Sequence, residues 1–115
     1  MRIDVRGRNF EVTDELREAV AKRFARVRRQ VSELATLDVE LSEERNPAIA
    51  DNQVAEATLR VKGNALRARE ASPDMVRSIR ELANDIHRQA KRHREKRRSR
   101  WSARREKARL RENEA

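Results

Sequence analysis

Residues 87–98 read His-Arg-Gln-Ala-Lys-Arg-His-Arg-Glu-Lys-Arg-Arg. Seven of these twelve are arginine or lysine, and Glu95 is the one acid. A helix standing in water ordinarily intersperses Glu with Lys at i, i+4 to relieve repulsion. This run does not, so it carries a self-repulsion that a polyanion removes. Arginine predominates, and its planar fork suits phosphate groups and guanine edges. The chemistry on offer is therefore RNA binding, with Arg88, Lys91, Arg92, Arg94, Lys96, Arg97 and Arg98 as the contact residues. The competing reading is a solubilising tail or part of a linker. A second basic group, Arg60, Lys62, Arg67 and Arg69, falls at alternate positions of two neighbouring strands. It either extends the RNA surface or pairs across the sheet with Asp38, Glu40 and Glu56.

Other chemistries lack their residues. Two glycines, Gly7 and Gly63, are too few for a glycine-rich phosphate loop or a GXXG clamp. The chain has no cysteine, hence no disulfide, thiolate metal site or cysteine nucleophile. His87 and His93 are six positions apart and face different sides of a helix, unlike an i, i+4 metal pair. The strand carboxylates alternate outward onto a solvated face, where cross-strand pairing explains them better than acid–base catalysis. No catalytic residue, metal, cofactor or small-molecule substrate is expected. The outward strand residues include no aromatics, which argues against base stacking on the sheet. Phe10 and Phe24 belong to the core. Trp101 either stacks on a base or is functionally silent.

The elements that must position the basic run emerge from the charge distribution. The net charge is +9, yet residues 1–86 hold 16 Lys/Arg against 16 Asp/Glu. Residues 87–111 hold 13 against 2, and residues 112–115 add two acids. A neutral domain thus bears a cationic arm, and such segregation points to a polyanionic partner. At 115 residues there is room for one domain. No apolar run approaches the ~20 residues that cross a bilayer, and Met-Arg-Ile-Asp-Val opens without a signal-peptide core. A cytoplasmic protein with no membrane partner is expected.

Ile3 and Val5 alternate with charge in a first strand that Gly7 ends. Thr13 caps a helix whose face is Leu16, Val20, Phe24, Val27 and Val31. Leu37, Val39 and Leu41 mark a second strand, closed by Arg45-Asn46-Pro47, and Ala55, Ala57, Leu59 and Val61 a third. Gly63-Asn64 makes a tight turn into a fourth strand holding Leu66 and Ala68. Ser72-Pro73-Asp74 starts the last helix, with Ser72 as its cap. Its stripe, Met75, Ile79, Leu82, Ile86 and Ala90, fades after Ile86. Residues 87–98 should project from the core, and fraying or disorder is expected past about residue 98. The fold class is α+β: a two-layer β-α-β-β-β-α sandwich with a four-stranded mixed sheet and two helices on one face.

These residues carry a family pattern. The sequence resembles the ribosome hibernation-promoting factors over residues 1 to about 96. The likeness rests on Ile3-Asp-Val-Arg-Gly-Arg-Asn9, Val12-Thr13-Asp14 with Leu16-Arg17, Glu56-Ala57-Thr58-Leu59, and Asp74-Met75 followed by Ile79. It closes on Arg88-Gln89 and Lys91-Arg92-His93-Arg94-Glu95-Lys96. The resemblance implies a fold like that of double-stranded-RNA-binding domains. It implies binding to rRNA of the small ribosomal subunit, in the channel of mRNA and tRNA, as a translation inhibitor of starvation or stationary phase. By this likeness Arg88, Lys91, Arg92, Arg94 and Lys96 carry the rRNA contacts. Where the family often has lysine ahead of the helix's last apolar residue, this chain has Asp85, which is left out. The expected organisation is a ribosome-binding domain over 1–96 and a basic tail over 97–115, monomeric because the family's dimerising domain is missing. Two other readings stay open: a nonspecific RNA-coating protein with a basic helical arm, and a module whose basic helix docks on an acidic partner or a membrane surface.

Overall fold

A computed structural model describes residues 1–114; Ala115, the end of the expected tail, lies outside the described residues. The elements are β1 (Arg2–Arg8), α1 (Asp14–Arg23), α2 (Ala25–Gln30), β2 (Thr36–Glu43), β3 (Gln53–Val61), β4 (Asn64–Ser72) and α3 (Met75–Glu114). The sheet order is β1-β2-β3-β4. β1 and β2 are parallel, Val5 opposite Val39; the β2–β3 and β3–β4 pairs are antiparallel, with Val39 opposite Ala57 and Leu59 opposite Leu66. The mixed sheet follows from the alternation read in the sequence. Leu37, Val39, Leu41, Ala55, Ala57 and Leu59 fill one face. The helices cover that face, and their Val20, Phe24, Val27, Ile79, Leu82 and Ile86 join the same core.

Four local expectations shift. The first helix is split at Phe24, whose φ of −87° and ψ of 4° leave the α region. Hydrogen bonding carries across the split, since the Phe24 amide donates to Val20 at 2.9 Å and its carbonyl accepts from Arg28 at 3.1 Å. The ring is fully buried. Gly7 does not end its strand: β1 runs through it to Arg8. What its missing side chain permits is close approach, because an added Cβ would sit 1.9 Å from the Phe10 carbonyl oxygen. The β3–β4 turn is Lys62-Gly63, with φ of 39° and 81°, and Asn64 already pairs with Val61. Two positive φ angles suit a two-residue hairpin turn. Finally, Ser72 ends β4, and the cap of α3 is Asp74, whose Oδ2 accepts from the Arg77 amide at 3.3 Å.

α3 is a single helix of 40 residues. Where fraying past about residue 98 was expected, the helix continues to Glu114. Residues 91–112 contain no glycine or proline and are mostly Arg, Lys, Glu and Ala, all strong helix formers. The inner end of α3, from Met75 to Ala90, is buried on the sheet and the shorter helices. The outer end leaves the sheet and gives the molecule its long axis, 69 Å against 28 and 19 Å.

Candidate nucleic-acid interface

All seven cations expected on the last helix are exposed on α3. They separate into two sets. At 3.6 residues per turn, Arg88, Lys91, Arg92 and Lys96 lie off the buried stripe that Ile79, Leu82, Ile86 and Ala90 define. Arg97 instead continues that stripe, and Arg94 and Arg98 flank it on the side toward the end of α2. The Arg94 guanidinium donates to Gln30 Oε1 at 3.1 Å, tying the projecting helix to the end of α2. Neutralisation is sparse. Within 87–98 the one ion pair among the described residues is Arg88 with Asp85, at 4.0 Å.

The strand cations do not join this surface as a group. Arg60, Arg67 and Arg69 alternate with Leu59, Leu66 and Ala68, so they stand on the sheet face turned from α3. Arg60 is ion-paired with Asp38, and Arg69 with Glu56 at 3.3 Å. Arg6 and Arg8 both reach Glu40, at 3.2 and 3.5 Å. Arg67 has no ion pair among the described residues. The open sheet face is thus a lattice of cross-strand pairs, the second of the two readings its sequence allowed. Lys62 is the exception. The one-residue shift of the turn takes it off the strand and places it at the hairpin tip, near the outer part of α3.

There a groove of about 630 Å³ opens between the segment after α2, the hairpin tip and α3. Its apolar lining is Val31, Leu34, Ala35, Val61, Ala90 and Trp101. Its rim carries Lys62, Arg94, Arg97, Arg98 and Arg105, and no acidic residue lines it among the described residues. Sequence reasoning missed this groove. The signal was present: Ala90, His93, Arg97, Trp101 and Arg105 recur at steps of three, four, four and four. That stripe is invisible to a search for apolar residues alone.

Two histidines sit on the inner side of the arm. Burial, then Arg26 and Lys91, holds His87 below its ordinary pKa of 6.5. Burial, then Arg97, Arg100 and Lys96, does the same to His93. The His93 Nε2 lies 3.2 Å from the Asn64 amide nitrogen, which donates to it when the ring is neutral. At the β4 edge, burial followed by Asp85 and Glu81 raises the Glu70 carboxyl. Asp85, the departure noted in the sequence, thus helps form an acidic patch beside β4 rather than extending the basic run. No group of His, Asp and Glu among the described residues could hold a metal ion, and no described helix is long and apolar enough to cross a membrane.

A small two-layer α+β domain extended by a cationic helix is a class of protein with close structural counterparts. The family model described as Sigma 54 modulation protein / S30EA ribosomal protein matches residues 3–98, and this chain belongs to that family. The Ribosome hibernation promoting factor of Pseudomonas putida is 32% identical over 99 residues, covering 86% of this chain and 92% of that protein. The Ribosome hibernation promotion factor of Picosynechococcus sp. is 31% identical over 97 residues, 84% of this chain; the chain spans about 50% of that relative's length. Among solved structures, the Thermus thermophilus Protein Y N-terminal domain superposes with a TM-score of 0.68 at 30% identity, over 81% of this chain and 99% of that one. A ribosomal subunit interface protein from Coxiella burnetii shares the fold, with a TM-score of 0.68 at 19% identity, over 81% of this chain and 97% of that one.

Proposed function

We propose that this chain is a ribosome hibernation factor that grips rRNA of the small subunit, in the mRNA and tRNA channel, and keeps ribosomes idle. The observation that carries the reading is the surplus of exposed cations on α3 between Arg88 and Arg98, where among the described residues one weak ion pair offsets seven charges. Membership of the family and the printed names of its curated relatives support the ribosome as the source of the polyanion. Residues 1–96 form the ribosome-binding unit in this reading, and 97–115 a basic extension. Arg88, Lys91, Arg92 and Lys96 supply phosphate contacts from the outer side of α3; Arg94, Arg97 and Arg98 supply them from the groove side. Lys62, at the hairpin tip beside the arm, is the strand cation placed to add to them. No step of covalent chemistry is involved: the factor acts by occupying a site.

The test is charge reversal. Arg88→Glu, Lys91→Glu and Arg92→Glu together lie off the buried stripe and should leave the fold's circular dichroism and melting unchanged. They should abolish co-sedimentation with small subunits. For the unaltered protein, six to ten phosphate contacts imply that affinity falls about 10³- to 10⁵-fold between 50 and 200 mM salt. Normal binding by the triple variant, or binding indifferent to salt, overturns the proposal. Duplex RNA that competes as well as subunits would instead identify a nonspecific coating protein.

A further inference from the structure

We infer that the groove beside Trp101 is a second RNA contact that takes an unpaired base, with Trp101 as its stacking platform and the surrounding arginines on the flanking phosphates. The inference deepens the reading of α3 as an RNA grip and rests on it. Trp101 lies beyond the stretch matched by the family, which ends at residue 98.

Three observations point to this occupant. The first is an exposed aromatic surface beside other apolar side chains. Trp101 is 59% exposed and Leu34, across the groove, is 92% exposed. Large apolar side chains held open beside one another mark a contact surface rather than core. The second is Arg105, whose guanidinium carbon lies 4.5 Å from the centre of the Trp101 ring. The arginine covers one face of the ring, leaves the other for a base, and brings charge to the adjoining phosphate. The third is charge. Lys62, Arg94, Arg97 and Arg98 surround an apolar floor that no carboxylate lines among the described residues. An acidic peptide would complement that rim too. The cations, however, do not stop at the groove; a second set, Arg88, Lys91 and Arg92, stands around the outer side of the same helix. A strand of nucleic acid has phosphates enough to reach both sets, and its bases have the flat apolar faces the floor requires.

The base must be unpaired. Only a splayed-out nucleotide can lay its ring on a side chain, because in a duplex both faces are already stacked. The groove therefore adds a preference for single strands that the outer cations, which contact phosphates, do not supply. Its volume of about 630 Å³ lies in the range of sites that enclose small ligands.

Trp101 is the sole tryptophan of the chain, so its fluorescence reports on this groove alone. The intact protein is titrated with a twelve-nucleotide single-stranded RNA and with the same strand annealed into a duplex, binding being followed independently by anisotropy of a labelled RNA. At saturation the single strand should quench the tryptophan by half or more and the duplex by less than a fifth. Trp101→Ala should weaken single-strand binding about 5- to 150-fold, the equivalent of one stacked base. Trp101→Phe should recover most of the loss. Saturated binding with unchanged emission, or Trp101→Ala binding as tightly as the parent, overturns the inference. So does an acidic amphipathic peptide that shifts the emission and binds more tightly than the RNA, which would assign the groove to a protein partner. Small subunits separate this from the function proposed above. If they are not bound while the single strand still quenches Trp101, that function falls and the groove stands. If they are bound and Trp101 is neither quenched nor needed, the groove falls alone.

Discussion

His87 and His93 are half-buried on a helix otherwise dominated by permanent positive charge. Each has its pKa lowered, by burial first and by nearby cations second. Side-chain NMR should therefore show both midpoints below the ordinary 6.5; a midpoint at or above that value for either would contradict the environment described. The sign of the stability effect follows. A histidine with a lowered folded pKa prefers to be neutral in the native state, so the unfolded chain takes up its proton first. The contribution is fully present above about pH 6.5 and is lost as pH falls through the folded value. Protonating His93 also removes the acceptor for Asn64. The sequence showed two histidines in a basic run. It could not show which side of the helix would be covered, because that depends on where the sheet ends.

At the scale of the element, α3 is held at its start by a small polar cluster. Ser78 Oγ donates to the Gln53 carbonyl at 2.6 Å and lies 2.7 Å from Ser72 Oγ, both serines being fully buried. This cluster joins α3 to β3 and β4. Ser78→Ala leaves the Gln53 carbonyl without that donor, and urea denaturation should show a loss of about 1–3 kcal/mol; a variant as stable as the parent would show that the cluster is dispensable. The strands, their mixed order and the two-layer packing were legible because Leu37, Val39, Leu41, Leu59 and Leu66 alternate cleanly with polar residues. Within the domain the errors were local. Gly63-Asn64 and Lys62-Gly63 are equally good turn sequences on paper, and only register chooses between them. Ser72 and Asp74 are both good caps, and the extra length of β4 claimed the serine. The split at Phe24 has no glycine or proline to announce it.

The whole molecule is elongated because one helix serves both as a wall of the core and as an arm. Its radius of gyration is 18.4 Å, against about 13 Å for a compact domain of this length. The arm was legible in the charge distribution. The groove was not, since it is assembled from segments near residues 30, 62 and 100 that only the fold brings together. The same geometry bears on how long a copy of the protein survives. Outward of Ala90 the helix has little tertiary packing to hold it, and more than half of residues 91–111 are arginine or lysine. Such segments open locally far more often than a core does, and proteases cut what opens. Brief trypsin treatment of the free protein should trim it to fragments ending between Lys91 and Arg111 while the domain before them persists, read by mass spectrometry. In complex with small subunits the same bonds should be cut at least several-fold more slowly; equal rates would mean that the arm is not covered. A copy with its arm engaged would then be long-lived and an idle copy short-lived, so the supply of factor would follow the number of occupied sites without any dedicated degradation signal.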